Sequence, residues 1–149
     1  MKGLKKIWLL IGLIAALLLP VTYLGYSATS NPSPGSSGYF TMTLHFDSQL
    51  TATVADKAQF KMPWPAELVG IQCVARALGG TGSPTYTFTL QEGAGTLATC
   101  AMVTAVTVIE GAISDSSIAD EANITLDYAA TGTSPTADDV TVLLLFKRQ

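Results

Sequence analysis

Side chains able to carry acid–base, metal or redox chemistry are few in this chain. His45 is its sole histidine. It falls on the polar face of an alternating run, with no HExxH, no second histidine and no cysteine pair at ligand spacing, so it reads as a surface histidine and not as a base or zinc ligand. Asp138-Asp139, Asp127 and Asp120-Glu121 offer carboxylate oxygens suited to calcium at a domain edge. Such a site needs about six converging donors, and these acids lie in separate stretches, so they read as solvated loop acids. Gly93-Ala94-Gly95 stands between two alternating runs, which marks a hairpin turn; a phosphate cradle would be followed by a helix. There is no GxSxG motif and no basic patch. The expectation is a protein without catalytic residues, metal or cofactor.

Three further features admit two readings each. Cys73 and Cys100 sit in apolar contexts, GIQCVARAL and TLATCAMV; they form a disulfide if the domain is exported, or two buried thiols if it is not. Trp64, between Pro63 and Pro65, is a flat platform for a sugar ring or a plug for the open end of a β domain, and its apolar neighbours favour the plug. Asn123-Ile124-Thr125 matches a glycosylation acceptor in a host that has the machinery.

The elements that would position these residues are strands. Phe40, Met42, Leu44 and Phe46 alternate with Tyr39, Thr41, Thr43 and His45, a half-buried strand. A short run from Gln49, QLTATVAD, also has strand character. Ala58, Phe60 and Met62 lead into a bend at Pro63-Trp64-Pro65. Glu67 to Leu78 is apolar on both alternating faces, as in a strand covered on two sides. Gly79 to Pro84 reads as a loop, and Thr85 to Gln91 alternates again. Strands are expected from Thr96 to Val103 and Ala105 to Ile109, then a loop over Gly111 to Ser117. A strand from Asn123 to Ala129, a loop ending at Asp139 and a strand from Val140 to Lys147 complete the chain. Seven or eight short strands without helical period predict an all-β fold, an antiparallel β-sandwich of jelly-roll type.

This domain, residues 39–149, follows a segment of another kind. Lys2, Lys5 and Lys6 precede an apolar run from Ile7 to Leu19, and the span from Ile7 to Ala28 holds 22 uncharged residues. As a helix it would extend ~33 Å, enough to cross a bilayer core. Trp8, Tyr23 and Tyr26 then fall where interfacial aromatics belong, and the lysines hold the N-terminus on the cytoplasmic side. The alternative is a secretory signal ended by Pro20 and cleaved near residues 27–30. Residues 1–29 are thus an anchor helix or a signal, and residues 30–38, SNPSPGSSG, a Ser/Pro/Gly linker. Both readings place the β domain beyond the membrane. From residue 31 onward there are five basic and eleven acidic side chains, a formal balance of −6, which argues against a nucleic-acid partner.

The succession MPWPAELVGIQCVA, YTFTLQEGAGTL and SIADEANITLDYAATGTSPTADDVTVLLLFKR resembles a recurrent β-sandwich module of bacteriophage virion proteins, over roughly residues 60 to 148. The resemblance implies a structural role in a virus particle, as a decoration, fibre-base or minor capsid module that assembles as a symmetric homo-oligomer. The N-terminal segment departs from the soluble members of that group and implies a lipid bilayer as a further partner. The leading expectation is a membrane-anchored virion protein that packs among other virion or surface proteins. The alternatives are a secreted or cell-surface binding module, for carbohydrate or adhesion, and a subunit of an extracellular filament.

Overall fold

A computed structural model of the chain describes residues 38–103 and 105–149. The proposed anchor residues Lys2, Lys5, Lys6, Trp8, Pro20, Tyr23 and Tyr26, and all of the linker except Gly38, lie outside the described residues. The described part is all β. Its strands are β1 (Tyr39–Phe46), β2 (Val54–Lys61), β3 (Ala66–Thr81), β4 (Tyr86–Glu92), β5 (Gly95–Met102), β6 (Ile109–Glu110), β7 (Ala112–Ile113), β8 (Ser117–Ile118), β9 (Asn123–Ala130) and β10 (Thr133–Arg148).

Two antiparallel sheets face each other. The first has the order β1-β10-β3-β6, with β8 also on β3; the second has the order β2-β9-β4-β5-β7. Alternation decides which residues meet between them. Leu44, Phe46, Leu68, Ile71, Cys73, Val142, Leu144 and Phe146 of the first sheet are buried against Phe88, Leu90, Cys100, Ile124, Leu126 and Tyr128 of the second. Phe46 stacks on Phe88 at 6.1 Å between ring centroids, and Phe60 meets Phe146 edge-on at 6.4 Å. No polar or charged residue among those described is buried. The core is therefore held by apolar area and ring packing, with about 0.5–1.5 kcal/mol beyond area burial for each favourable aromatic pair.

The structure departs from the sequence expectations at several points. The run from Gln49 is not a strand: Leu50 makes one isolated bridge to Ala137, and β2 begins only at Val54. No strand spans Ala105 to Ile109; the pairing there is confined to Ile109 and Glu110. The stretch expected as a loop after Gly111 contains β7 and β8. The largest difference is in length. β3 and β10 each run 16 residues, about 50 Å, and pair with each other through Gly79↔Thr136 and Thr81↔Thr133. Pairing overrides the loop-like composition because Gly79 has no side chain to obstruct Thr136, whose Oγ1 would lie 2.5 Å from a Cβ built there.

β3 differs in a second respect. Its inward residues are buried as expected, but its other face is not covered among the described residues: Val69 is 39% exposed, and Gln72 and Val74 are half-exposed. Leu143 and Leu145 of β10 share that outer face.

Candidate functional site

At one end of the outer face of the first sheet, polar side chains from three strands come together. His45 of β1, Arg76 of β3 and Asp138, Asp139 and Thr141 of β10 meet because the register sets β1, β10 and β3 side by side. His45 Nδ1 lies 3.0 Å from Thr141 Oγ1, and its Nε2 lies 3.0 Å from Asp139 Oδ1. Arg76 bridges to Asp138 through Nη2 and to Asp139 through Nε at 3.1 Å. The connectivity, hydroxyl to imidazole to carboxylate, is that of a proton relay. Its surroundings are those of a surface clasp: His45 and Asp139 are 43% and 36% exposed at the side chain, and the guanidinium occupies the second carboxylate oxygen. Such exposed pairs contribute at most ~1 kcal/mol each, and this set ties three strands at one end of the sheet. At the opposite end, Lys147 faces Glu67 at 3.7 Å.

Between these two ion-pair groups lies apolar ground. Thr43, Leu143 and Gln72 form one cross-strand row, and Leu145 stands opposite Gly70 in the next. The missing side chain at Gly70 leaves a concavity of about 310 Å³ lined by Val69, Gly70, Gln72, Ile113, Leu143 and Leu145. Gln72 Nε2 reaches Glu110 Oε1 at 3.4 Å on its rim. The loop after β5 adds Val103, Val106 and Val108, exposed by 65%, 78% and 57%. Val106 holds φ at 61° while its N–H donates to the carbonyl of Ala75 at 2.8 Å. A β-branched residue in the left-handed region costs of order 1–2 kcal/mol, so the geometry of this loop is imposed by its contact with β3.

The residues singled out by sequence go to separate places. Trp64 is half-buried at the opposite end of the sandwich from the β5–β6 loop; the Arg148 guanidinium lies over its ring at 5.0 Å and Phe40 meets it edge-on at 5.9 Å. Phe40 in turn stacks on Phe146 at 5.1 Å. The indole tops an aromatic column that closes this end, and the cation sits where a sugar would stack. Cys73 and Cys100 are joined in a disulfide between β3 of the first sheet and β5 of the second. The acids are spread: Asp127 accepts the N–H of Asp56 at 2.7 Å, Glu121 pairs with Lys61, and no group of three metal-ligating side chains occurs among the described residues. Asn123 is exposed at the start of β9.

The apolar outer face was legible from sequence in part: Glu67 to Leu78 reads as apolar on both alternating faces, while Leu143 and Leu145 of β10 were not singled out. ELVGIQCVARAL and VTVLLLF are apolar at both alternating positions, whereas one face suffices for the sandwich core.

No family model matches the chain, and no curated relative is found for it. Among solved structures it is similar to a chain of the cyanophage Pam1 capsid asymmetric unit, at 16% identity and a TM-score of 0.45, the alignment covering 88% of this chain and 100% of that one.

Proposed function

We propose that this is a non-enzymatic structural protein of a phage particle, in which residues 1–29 hold the chain in a lipid layer and the β domain packs among neighbouring coat proteins. One observation carries the reading. Val69, Leu143 and Leu145 form an apolar, partly exposed strip on the outer face of the first sheet between two groups of ion pairs, although the domain core needs only the inner face. A solvent-facing apolar surface rimmed by charge is the mark of ground that assembly covers. The strand order supports it. β1-β10-β3-β6 facing β2-β9-β4-β5 is the order of a jelly-roll, a layout found in viral capsid domains and also in lectins. That step is an analogy of fold, and it takes its direction from the face and not from the topology.

In this reading the N-terminal lysines stay on the inner side of the membrane and the β domain lies on the far side. The partners are lipid, coat proteins and further copies of the chain; no nucleic acid or cofactor enters. The lectin reading loses its best platform, because the ring of Trp64 lies under Arg148.

The test is the intact mass of the native protein from purified, lipid-bearing particles and from the soluble fraction of the same culture. A full-length mass confined to particles is the expected result. A mass starting near Ala28 or Asn31 in the soluble fraction would turn the N-terminal segment into a signal peptide and the protein into a secreted one.

A further inference from the structure

The two sheets present unlike outer faces. Ion pairs cross that of the first sheet, whereas that of the second is nearly free of charge. Tyr86, Phe88 and Leu90 of β4 are buried in the core, so Thr87, Thr89 and Gln91 point outward. Register extends the pattern to the flanking strands: Thr89 stands between Asp127 of β9 and Thr99 of β5, and Thr87 between Ala129 and Ala101. The threonines are half-buried and the two alanines exposed. Asp127 is the sole charge at the outer positions of β9, β4 and β5, and it accepts the N–H of Asp56 at 2.7 Å.

Such a face is suited to contact with its own copy. Residues 31–149 carry a balance of −6, so two chains meet with least repulsion where neither bears charge, and a shortage of charged residues is what marks the centre of an interface. Hydroxyl and primary amide groups both donate and accept, so the same group on two copies can bond itself, as two carboxylates or two ammonium groups cannot. β2, β9, β4 and β5 have seven or eight residues each. At ~4.8 Å between strands and ~3.3 Å per residue they make a face of roughly 500 Å², or about 1,000 Å² for two copies, the least that a specific interface needs. Complementarity then decides.

We infer that this face binds a second copy of the chain, outer face on outer face, about a two-fold axis running along β4. That axis sets β4 on β4, and β9 of each copy on β5 of the other. Thr89 then meets Thr89, Gln91 meets Gln91 and Ala129 meets Ala101, so small residues face small ones. Asp127 meets Thr99, whose hydroxyl donates to the carboxylate, and the two Asp127 side chains stand about 10 Å apart across the strands. The same axis keeps both Gly38 residues at one end, as two chains held in one membrane require. Only that last point rests on the proposed anchor; the dimer can fail on purified protein while the virion reading stands.

The experiment compares the full-length protein in mild detergent with its Thr89→Lys variant, by sedimentation and native mass spectrometry. Position 89 points away from the core, and lysine there makes the net charge less negative, so a lost dimer would not come from overall repulsion. The expected result is a dimer for the natural chain and a dissociation constant raised about a hundredfold or more in the variant, because two ammonium groups oppose each other on the axis. Should the lysine variant not fold, Thr89→Cys decides. A bis-maleimide spanning about 10 Å, the spacing of packed sheets, should couple two copies through position 89 and not through a Thr43→Cys control on the other sheet; Cys73 and Cys100 are buried in their disulfide and do not react. A natural chain that is monomeric at its highest soluble concentration, a lysine variant that dimerises as strongly as the natural chain, or coupling through position 43 and not 89 would overturn the inference.

Discussion

Tyr128 shows how a single buried side chain sets a limit on stability. Its ring is fully buried against Phe88 at 5.1 Å, and its hydroxyl reaches only the carbonyl of Leu50, at 3.5 Å. Burial, with a smaller contribution from the charge of Tyr86, pushes its phenol up to about 12. The unfolded chain ionises near the ordinary value of 10.0. Between those two values the folded state keeps a proton that the unfolded state has lost, so the stability this residue contributes is complete below pH ~10 and is lost as pH rises toward ~12, by on the order of 2–3 kcal/mol. Tyr128→Phe removes the ionising group and only a long hydrogen bond. We expect it to change stability by less than about 1 kcal/mol at neutral pH and to flatten the alkaline fall. Urea midpoints measured from neutral pH into the alkaline range check both; an equally steep fall in the variant would assign it to another group.

At the scale of elements, alternation was legible and pairing partners were not. β1, β4 and β9 emerge from the sequence nearly as observed because each is half-buried and its period is its own. β6, β7 and β8 have two residues each, too few to display a period. The outer ends of β3 and β10 carry turn residues, Gly79-Gly80-Thr81 and Thr133-Ser134-Pro135, and become strand because each supplies the other's hydrogen bonds. The clasp of His45, Thr141, Asp139 and Arg76 was hidden for the same reason, His45 and Thr141 being 96 positions apart. This pairing depends on backbone shape at its tip. Gly132 holds φ at 94°, and a Cβ there would lie 2.9 Å from the carbonyl oxygen of Thr81 and 3.1 Å from Pro84. Gly93, in the β4–β5 hairpin, also has a positive φ of 58°, with nothing within 4 Å of its would-be Cβ. Gly132→Ala is therefore expected to cost ~2–3 kcal/mol, the dihedral strain plus the clash, and Gly93→Ala about 1 kcal/mol, the strain alone. Denaturant unfolding of the two variants measures the difference; equal losses would mean that the tip of the β3–β10 ribbon relaxes freely.

For the molecule as a whole, the disulfide decides how the two sheets stay together. Cys73 and Cys100 are 1% and 0% exposed and join β3 to β5 across the sandwich. Gly111 passes over the bond so closely that a Cβ there would stand 3.0 Å from Cys100 Cβ and 2.5 Å from the carbonyl oxygen of Thr99. The bridge closes a loop of 27 residues, for which chain entropy alone gives ~3.5 kcal/mol of stabilisation. Replacing both cysteines by alanine should lower the unfolding free energy by about that amount, with a little more from the lost packing. In the native protein the bond should be inert to reductant and become reducible only at the rate of unfolding, because no thiolate can reach it. Rapid reduction without loss of structure would contradict the burial described here. The same chemistry tests which side of the membrane the domain occupies. The bond forms in an oxidising compartment and stays open as two thiols in a reducing cytosol. Alkylating the thiols in intact cells, before lysis, and weighing the full chain should find both cysteines unmodified if the domain lies beyond the membrane from Lys2, Lys5 and Lys6. Under denaturing alkylation of the same cells, two added groups would place the folding domain on the cytosolic side and overturn the proposed orientation.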